Sequence, residues 1–298
     1  NAHSRLSGQG TKRICDREYT IFGDQRFRRL KDISVSHIYN LRRTRQYVSH
    51  ALTVSKTQSV NVSIAERCKP DPQGRPGHLR VDTVHQGDRE DEKGVYHINL
   101  VDEVTQWEIV VAVEKISEAY LEPLLEDAIN QFPFLILGFH SDNGSEYINH
   151  VVARLLNKLL IRQTKSRARH CNDNALAETK NGSIIRKHMG HMHIPQKFAS
   201  MINEFYRTHL NVYLNFHRPC GFAERKIDAR GKEKKVYNLY LTPYEALAGH
   251  PDALKFLKED VTFEKLDGIA RTVSDNACAT AMQKAKAALF KSFSSFKK

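Results

Sequence analysis

The chain has 298 residues, 40% of them hydrophobic and 27% charged, which is enough apolar material for a substantial packed domain and excludes a disordered chain. No run approaches the roughly 18 apolar residues of a membrane span, no secretory signal is read in the residues given, and the five cysteines are scattered without zinc-ligand spacing. The net charge of +12 is uneven: residues 1–77 carry +9, residues 78–251 are neutral and residues 252–298 carry +3. A basic arm joined to a neutral body suggests a polyanion held by one part and processed by another.

In chain order, Phe27 to Tyr47 reads as two short helices with a tight turn. Ser34 can cap the second, which places Val35, Ile38 and Leu41 on one face and His37, Asn40, Arg42 and Arg43 on the other, with Arg45 just beyond. That is the pattern of a helix-turn-helix whose second helix enters a major groove. Residues 66–78 hold three prolines and two glycines within Pro70–Gly77 and read as a semi-rigid linker. Beyond it, Leu79–His85, Val95–Asp102 and Trp107–Val113 alternate as three consecutive strands around a polar turn at Gly87–Gly94. A helix over Ser117–Gln131, a buried strand over Leu135–Phe139, a helix over Ile148–Leu160, a strand over Ile161–Thr164 and a helix over Asn174–His188 follow. The order predicts an α/β fold: a mixed five-stranded sheet flanked by helices on both faces. Further helices are expected over Phe198–Phe216 and Ala277–Phe290, while residues 223–240 read as a charged, strand-poor insertion. The expected domains are a DNA-binding segment at 1–65, a linker at 66–78, a catalytic core at 79–220 and a partly helical extension at 221–298.

Three acids stand out by position. Asp82 lies mid-strand, where a carboxylate is costly unless it is used. Asp142 directly follows the fourth strand, in His140-Ser141-Asp142-Asn143-Gly144, and Glu178 lies in the first turns of a helix. Strand ends and helix starts are where ligands collect in open sheets, so the three can converge. Carboxylates brought together repel unless a cation lies among them, and hard cations such as Mg²⁺ or Mn²⁺ prefer such oxygen donors. Two such ions can support an in-line displacement at phosphorus. No Gly-x-Ser-x-Gly turn or base-paired cysteine points to covalent catalysis instead.

Thirty-five residues separate Asp142 from Glu178. With Leu79-Arg80-Val81-Asp82-Thr83, Ser141-Asp142-Asn143-Gly144-Ser145-Glu146-Tyr147, Asn174-Ala175-Leu176-Ala177-Glu178, Asn215-Phe216-His217-Arg218-Pro219 and Thr242-Pro243-Tyr244, the chain resembles the catalytic core of retroviral-type integrases and bacterial insertion-sequence transposases over residues 78–248. The resemblance implies a ribonuclease-H-like fold, a catalytic and metal-binding set of Asp82, Asp142 and Glu178, and Mg²⁺ (or Mn²⁺) as two ions. It also implies double-stranded DNA (element ends and target) as partner, a homo-oligomer, and a bacterial, cytoplasmic, nucleoid-associated setting. The implied reaction is cleavage of element ends followed by strand transfer. Two alternatives stand: a ribonuclease-H-like nuclease that does not join, and a truncated or inactive DNA-binding derivative, kept open because the sequence starts at Asn1. The family's zinc module is absent, and Cys220 stands where many relatives have histidine.

The stretch 154–187 carries nine lysines and arginines against Asp173 and Glu178. Lys165, Arg167 and Arg169, in the loop leading to the glutamate, are expected to hold phosphates, together with Lys180, Arg186, Lys187 and Arg218. Base reading would fall to the helix-turn-helix side chains.

Overall fold

The computed structural model describes residues 6–50, 64–142, 144, 147–168, 170–227, 231 and 233–295. The chain divides into two compact units, residues 1–55 with 87–94, and residues 56–86 with 95–298.

The first unit is built on α1 (Gly8–Thr20), a 3₁₀ turn (Gln25–Phe27), α2 (Val35–Leu41) and α3 (Arg45–His50). The hydroxyl of Ser34 accepts from the His37 amide at 3.1 Å, so the expected cap of α2 is in place. The preceding helix of the pair is not within Phe27–Ser34 as the sequence suggested. It is α1, which meets α2 so closely that a Cβ on Gly8 would fall 2.8 Å from the Tyr39 ring. The hidden signal was Ser7, whose hydroxyl accepts from the Gly10 amide and opens α1.

The second unit is organised by a six-stranded sheet, in the order β1–β6–β5–β2–β3–β4. Its strands are β1 (Glu66–Arg67), β2 (His78–His85), β3 (Tyr96–Asp102), β4 (Glu108–Val113), β5 (Gly138–Ser141) and β6 (Arg162–Lys165). The meander β2–β3–β4 is antiparallel, whereas β5 and β6 run parallel to β2. The sixth strand corrects the expected five: β1, two residues within the supposed linker, pairs in parallel with β6. At the other end of that segment Gly77 takes φ +101°, and a Cβ there would lie 2.3 Å from the Leu135 carbonyl oxygen. Asp102, fully buried, accepts from the amides of Gly77, His78, Val104 and Thr105 and thereby ties the segment to the end of β3.

Both faces of the sheet are covered. Leu79, Val81, Ile109 and Val111 pack on one side with Leu121 and Leu125 of α4 (Glu118–Asn130) and Val152 and Leu155 of α5 (His150–Lys158). Val84, Val110 and Ala112 pack on the other with Ile184 and Ile185, which follow α6 (Ala175–Lys180) in a π-helical stretch (Asn181–Arg186) ending in α7 (Lys187–Met189). The same layer holds α8 (Ala199–Phe205), which runs on through π-helical turns at Tyr206–Leu210 and Tyr213–His217. Residues 223–240 are not strand-poor: β7 (Cys220–Ile227) and β8 (Glu233–Leu241) form an antiparallel hairpin. Helices α9 (Pro243–Ala248), α10 (Ala253–Phe256) and α11 (Phe263–Thr272) follow. The expected carboxy-terminal helix is α12 (Asp275–Ser295), which buries Met282, Leu289 and Phe293 in the second layer. Trp107 is core, edge-on to Phe134 and Phe216.

Candidate active site

The alternation of β2 sends Val81 into one core layer and Arg80, Asp82 and Val84 to the opposite face. In the parallel pairing of β2 with β5, Val81 lies opposite Ser141, so Asp82 and Asp142 are the next residues on adjacent strands. Neighbouring strands lie about 4.8 Å apart, which makes these two carboxylates close neighbours at the sheet's carboxyl end. Asp142 Oδ1 accepts from the Gly144 amide at 2.9 Å. Asp82 Oδ1 accepts from the Thr83 amide at 2.8 Å, and its Oδ2 accepts from Asn181 Nδ2 at 2.7 Å. Asn181 is held in turn by Asn99 on β3, whose Nδ2 donates to Asn181 Oδ1 at 3.2 Å.

Glu178 lies one turn before Asn181 and so shares its face of the helix. The start of α6 is fastened to β2 by Asn174, whose Nδ2 donates to the Val81 carbonyl at 3.1 Å. Glu178 itself is exposed. Among the described residues no three His, Cys, Asp or Glu side chains are gathered tightly enough to hold a metal ion; the structure sets the two aspartates one residue past a paired position and ties the glutamate's helix to β2 without closing the set. The donors nevertheless suit a hard cation. They are acceptor-only carboxylates, and the two aspartates are each oriented by amide donors.

Sequence reasoning missed Asn99, Asn174 and Asn181. Asn181 was within reach, because it falls three residues after Glu178 on a helix; Asn99 became a partner only through the β2–β3 register, which sets it opposite Asp82.

Several expected phosphate contacts are corrected. Lys165 is buried and its Nζ donates to the Ile64 carbonyl at 2.7 Å. Lys180 is buried beneath α6, 3.3 Å from Glu108 Oε2 and 3.3 Å from the Cys220 thiol. Arg186 spans to Gln86 Oε1 at 2.8 Å and to the His85 carbonyl at 3.1 Å, which makes it a brace for the end of β2. The Arg167 guanidinium forms two bonds to Asp173 and its amide a third, and together they hold that carboxyl down at about 2. Lys187 is exposed, and Arg218 is half-buried with Nη1 3.6 Å from Cys220 Sγ. Arg169 lies outside the described residues. In the first unit His37, Asn40, Arg43 and Arg45 are exposed, whereas Arg42 is half-buried and donates to Thr11 Oγ1 at 2.8 Å.

Residues 72–171 match the family model of the integrase core domain. The chain is similar to an integrase core over that stretch. The match takes in Asp82 and Asp142 and stops before α6, so Glu178 lies beyond it. Three antiparallel strands followed by two parallel ones on the far side of the first, with helices on both faces, give this core its ribonuclease-H-like fold. A curated relative, the uncharacterized protein y4rM of Sinorhizobium fredii, is 33% identical over 170 residues, covering 56% of this chain and 48% of that protein. The chain thus spans about half the length of the curated relative it matches. Among solved structures, the catalytic core domain of BIV integrase overlaps 57% of this chain and 91% of its own at 15% identity and a TM-score of 0.34. A simian T-cell lymphotropic virus intasome, in complex with PP2A regulatory subunit B56 gamma, overlaps 66% of this chain and 69% of its own, at 16% identity and a TM-score of 0.35.

Proposed function

We propose that this protein is a DDE-type transposase of the bacterial insertion-sequence kind, which cleaves the ends of a DNA element and transfers the freed 3′-hydroxyls into target DNA. The observation that carries this reading is the placement of Asp82 and Asp142 one residue past the Val81–Ser141 pair of β2 and β5, within the integrase-core match, with the Glu178 helix pinned to β2. A relative in a bacterium is consistent with it.

Asp82, Asp142 and Glu178 would hold one or two Mg²⁺ or Mn²⁺ ions, which when bound supply Lewis-acid polarisation of phosphate oxygens. The chain's own part is positioning. Asn181 and the Thr83 amide fix the Asp82 carboxylate, Asn99 fixes Asn181, and the Gly144 amide fixes Asp142. Glu178, exposed at the start of α6, is the member that must swing in when the site is assembled. Residues 1–65 would bind the element ends through His37, Asn40, Arg43 and Arg45. Residues 66–78 would connect them to a catalytic core at 79–220, and 221–298 would extend that core. Work on two ends calls for two or more copies, acting at the nucleoid in the bacterial cytoplasm. No helix among the described residues is long and apolar enough to cross a membrane.

The test is a strand-transfer assay on DNA from the ends flanking the gene, with Mg²⁺ or Mn²⁺, comparing wild type with Asp142→Asn. Joined products from wild type and none from the variant are expected. Nicking without joining would replace the reading with a nuclease, and end binding without any reaction would replace it with a DNA-binding derivative.

A further inference from the structure

Arg80 precedes Asp82 by two residues on the same face of β2, roughly 7 Å along the strand. It lines a polar cleft of about 1290 Å³, walled by residues 69–74, by Arg167, His170, Asn172 and Asp173 ahead of α6, and by the first residues of β8. Several acids of this cleft are already engaged. Arg80 Nε and Nη2 each reach Glu103 at 3.0 Å, Arg167 holds Asp173, and Asp71 Oδ1 accepts from the Gln73 amide at 3.1 Å. By contrast Lys69, Lys234 and Lys235 are exposed and pair with no carboxylate among the described residues. They outnumber Glu233, the acid beside two of them. Beneath them the Arg80 side chain is 8% exposed, and its Nη1 has no hydrogen-bond partner among the described residues. A cleft with spare cationic donors coming from two separate segments, over a buried guanidinium with a spare donor, suits an extended anion with repeated charges better than a single phosphate.

The outer wall adds a second feature. The hairpin β7–β8 is exposed along nearly all of β8, and a lone two-stranded ribbon has little stability of its own in water. It nevertheless displays Tyr237 at 52% and Tyr240 at 64% exposure, and a Cβ on Gly221 would meet each ring at 3.5 Å. Neither ring lines the cleft, but exposed aromatic faces on the strand that carries Lys234 and Lys235 are a surface on which unpaired bases stack.

We propose that this cleft, with the hairpin as its outer wall, binds the sugar–phosphate backbone of a DNA strand alongside the acidic pair, without sequence choice. The site's place beside the chemistry rests on the proposed function, whereas its binding does not. The test measures binding of random-sequence duplex DNA to the full chain by fluorescence anisotropy across a salt series, for wild type and for Lys69→Glu/Lys234→Glu/Lys235→Glu. The variant is expected to bind at least about tenfold more weakly, with a log–log salt slope shallower by about 0.9 for each phosphate it no longer neutralises. The corresponding triple arginine variant is expected to bind as wild type does. An unchanged slope in the charge-reversed protein, or equal loss in the arginine variant, overturns the proposal. If charge reversal lowers the melting temperature, the triple alanine variant is read instead, with the same two outcomes. A chain that joins no DNA yet shows this loss removes the enzymatic reading and keeps the cleft; normal joining with an unchanged slope does the reverse.

Discussion

Asn181 bonds Asp82 on one side and Asn99 on the other, so its amide joins the Thr83 N–H in orienting the carboxylate. Asn181→Ala is expected to lower strand transfer about tenfold, the equivalent of one charge-assisted hydrogen bond of about 1.4 kcal/mol, with the melting temperature little changed. Equal loss in DNA binding would assign Asn181 to packing instead. Lys180 makes the opposite case. Its ammonium is the ion-pair partner of Glu108, whose side chain is 1% exposed. Lys180→Met should therefore cost about 3–5 kcal/mol in urea unfolding, most of it recovered by adding Glu108→Gln, because the penalty lies in the stranded charge. A phosphate-binding Lys180 would instead show weakened DNA affinity at full stability. The acids were legible in the sequence because a mid-strand aspartate breaks the apolar pattern. The cations were not, since a lysine's sequence neighbours do not tell whether it faces solvent or a buried glutamate on another strand.

At the scale of elements, the outer edge of β4 is covered by amides from the helix that follows α7. Asn203, Asn211 and Asn215 each accept from and donate to the backbone of Ala112, Val110 and Glu108 in turn, with Asn215 at 2.8 Å in both directions. This cover satisfies an edge that would otherwise bury unpaired groups or pair with another chain. Asn211→Leu leaves the Val110 amide and carbonyl unsatisfied and is expected to destabilise by about 2–5 kcal/mol in chemical denaturation, where a purely surface asparagine would change little. The core strands and helices were readable because each has one buried face, whose period shows in the sequence. The hairpin β7–β8 was not, for the same reason: β8 is exposed along nearly its whole length, so no alternation marks it. Strand β1 escaped because two residues beside a proline-rich run carry no period at all, and only pairing with β6 makes them a strand.

For the whole molecule, the basic excess of residues 1–77 falls largely on a helical unit with exposed His37, Asn40, Arg43 and Arg45, so the charge map foresaw where polar and basic groups would be displayed. It did not foresee the cleft, whose lysines lie far apart in the chain. Folding stability should also respond to pH. Burial pushes His97, bonded to the Tyr206 hydroxyl at 2.8 Å, down to about 3, and His188 down to about 4. Both are lowered from 6.5, so the stability tied to their neutral forms is full above that pH and is lost as the pH falls toward those values. The unfolding free energy is expected to decline from pH 6.5 to 4, by at most about 1.4 kcal/mol per pH unit for each histidine, and His97→Gln should make the decline shallower. A flat profile in the wild type would show that neither ring is held neutral. The central claim, that Asp82, Asp142 and Glu178 act as one site, is tested most directly at Glu178, which lies beyond the family match and is exposed on α6. Strand transfer by Glu178→Gln, measured with end binding as the control, should vanish while binding is kept; joining at the wild-type rate would contradict the account.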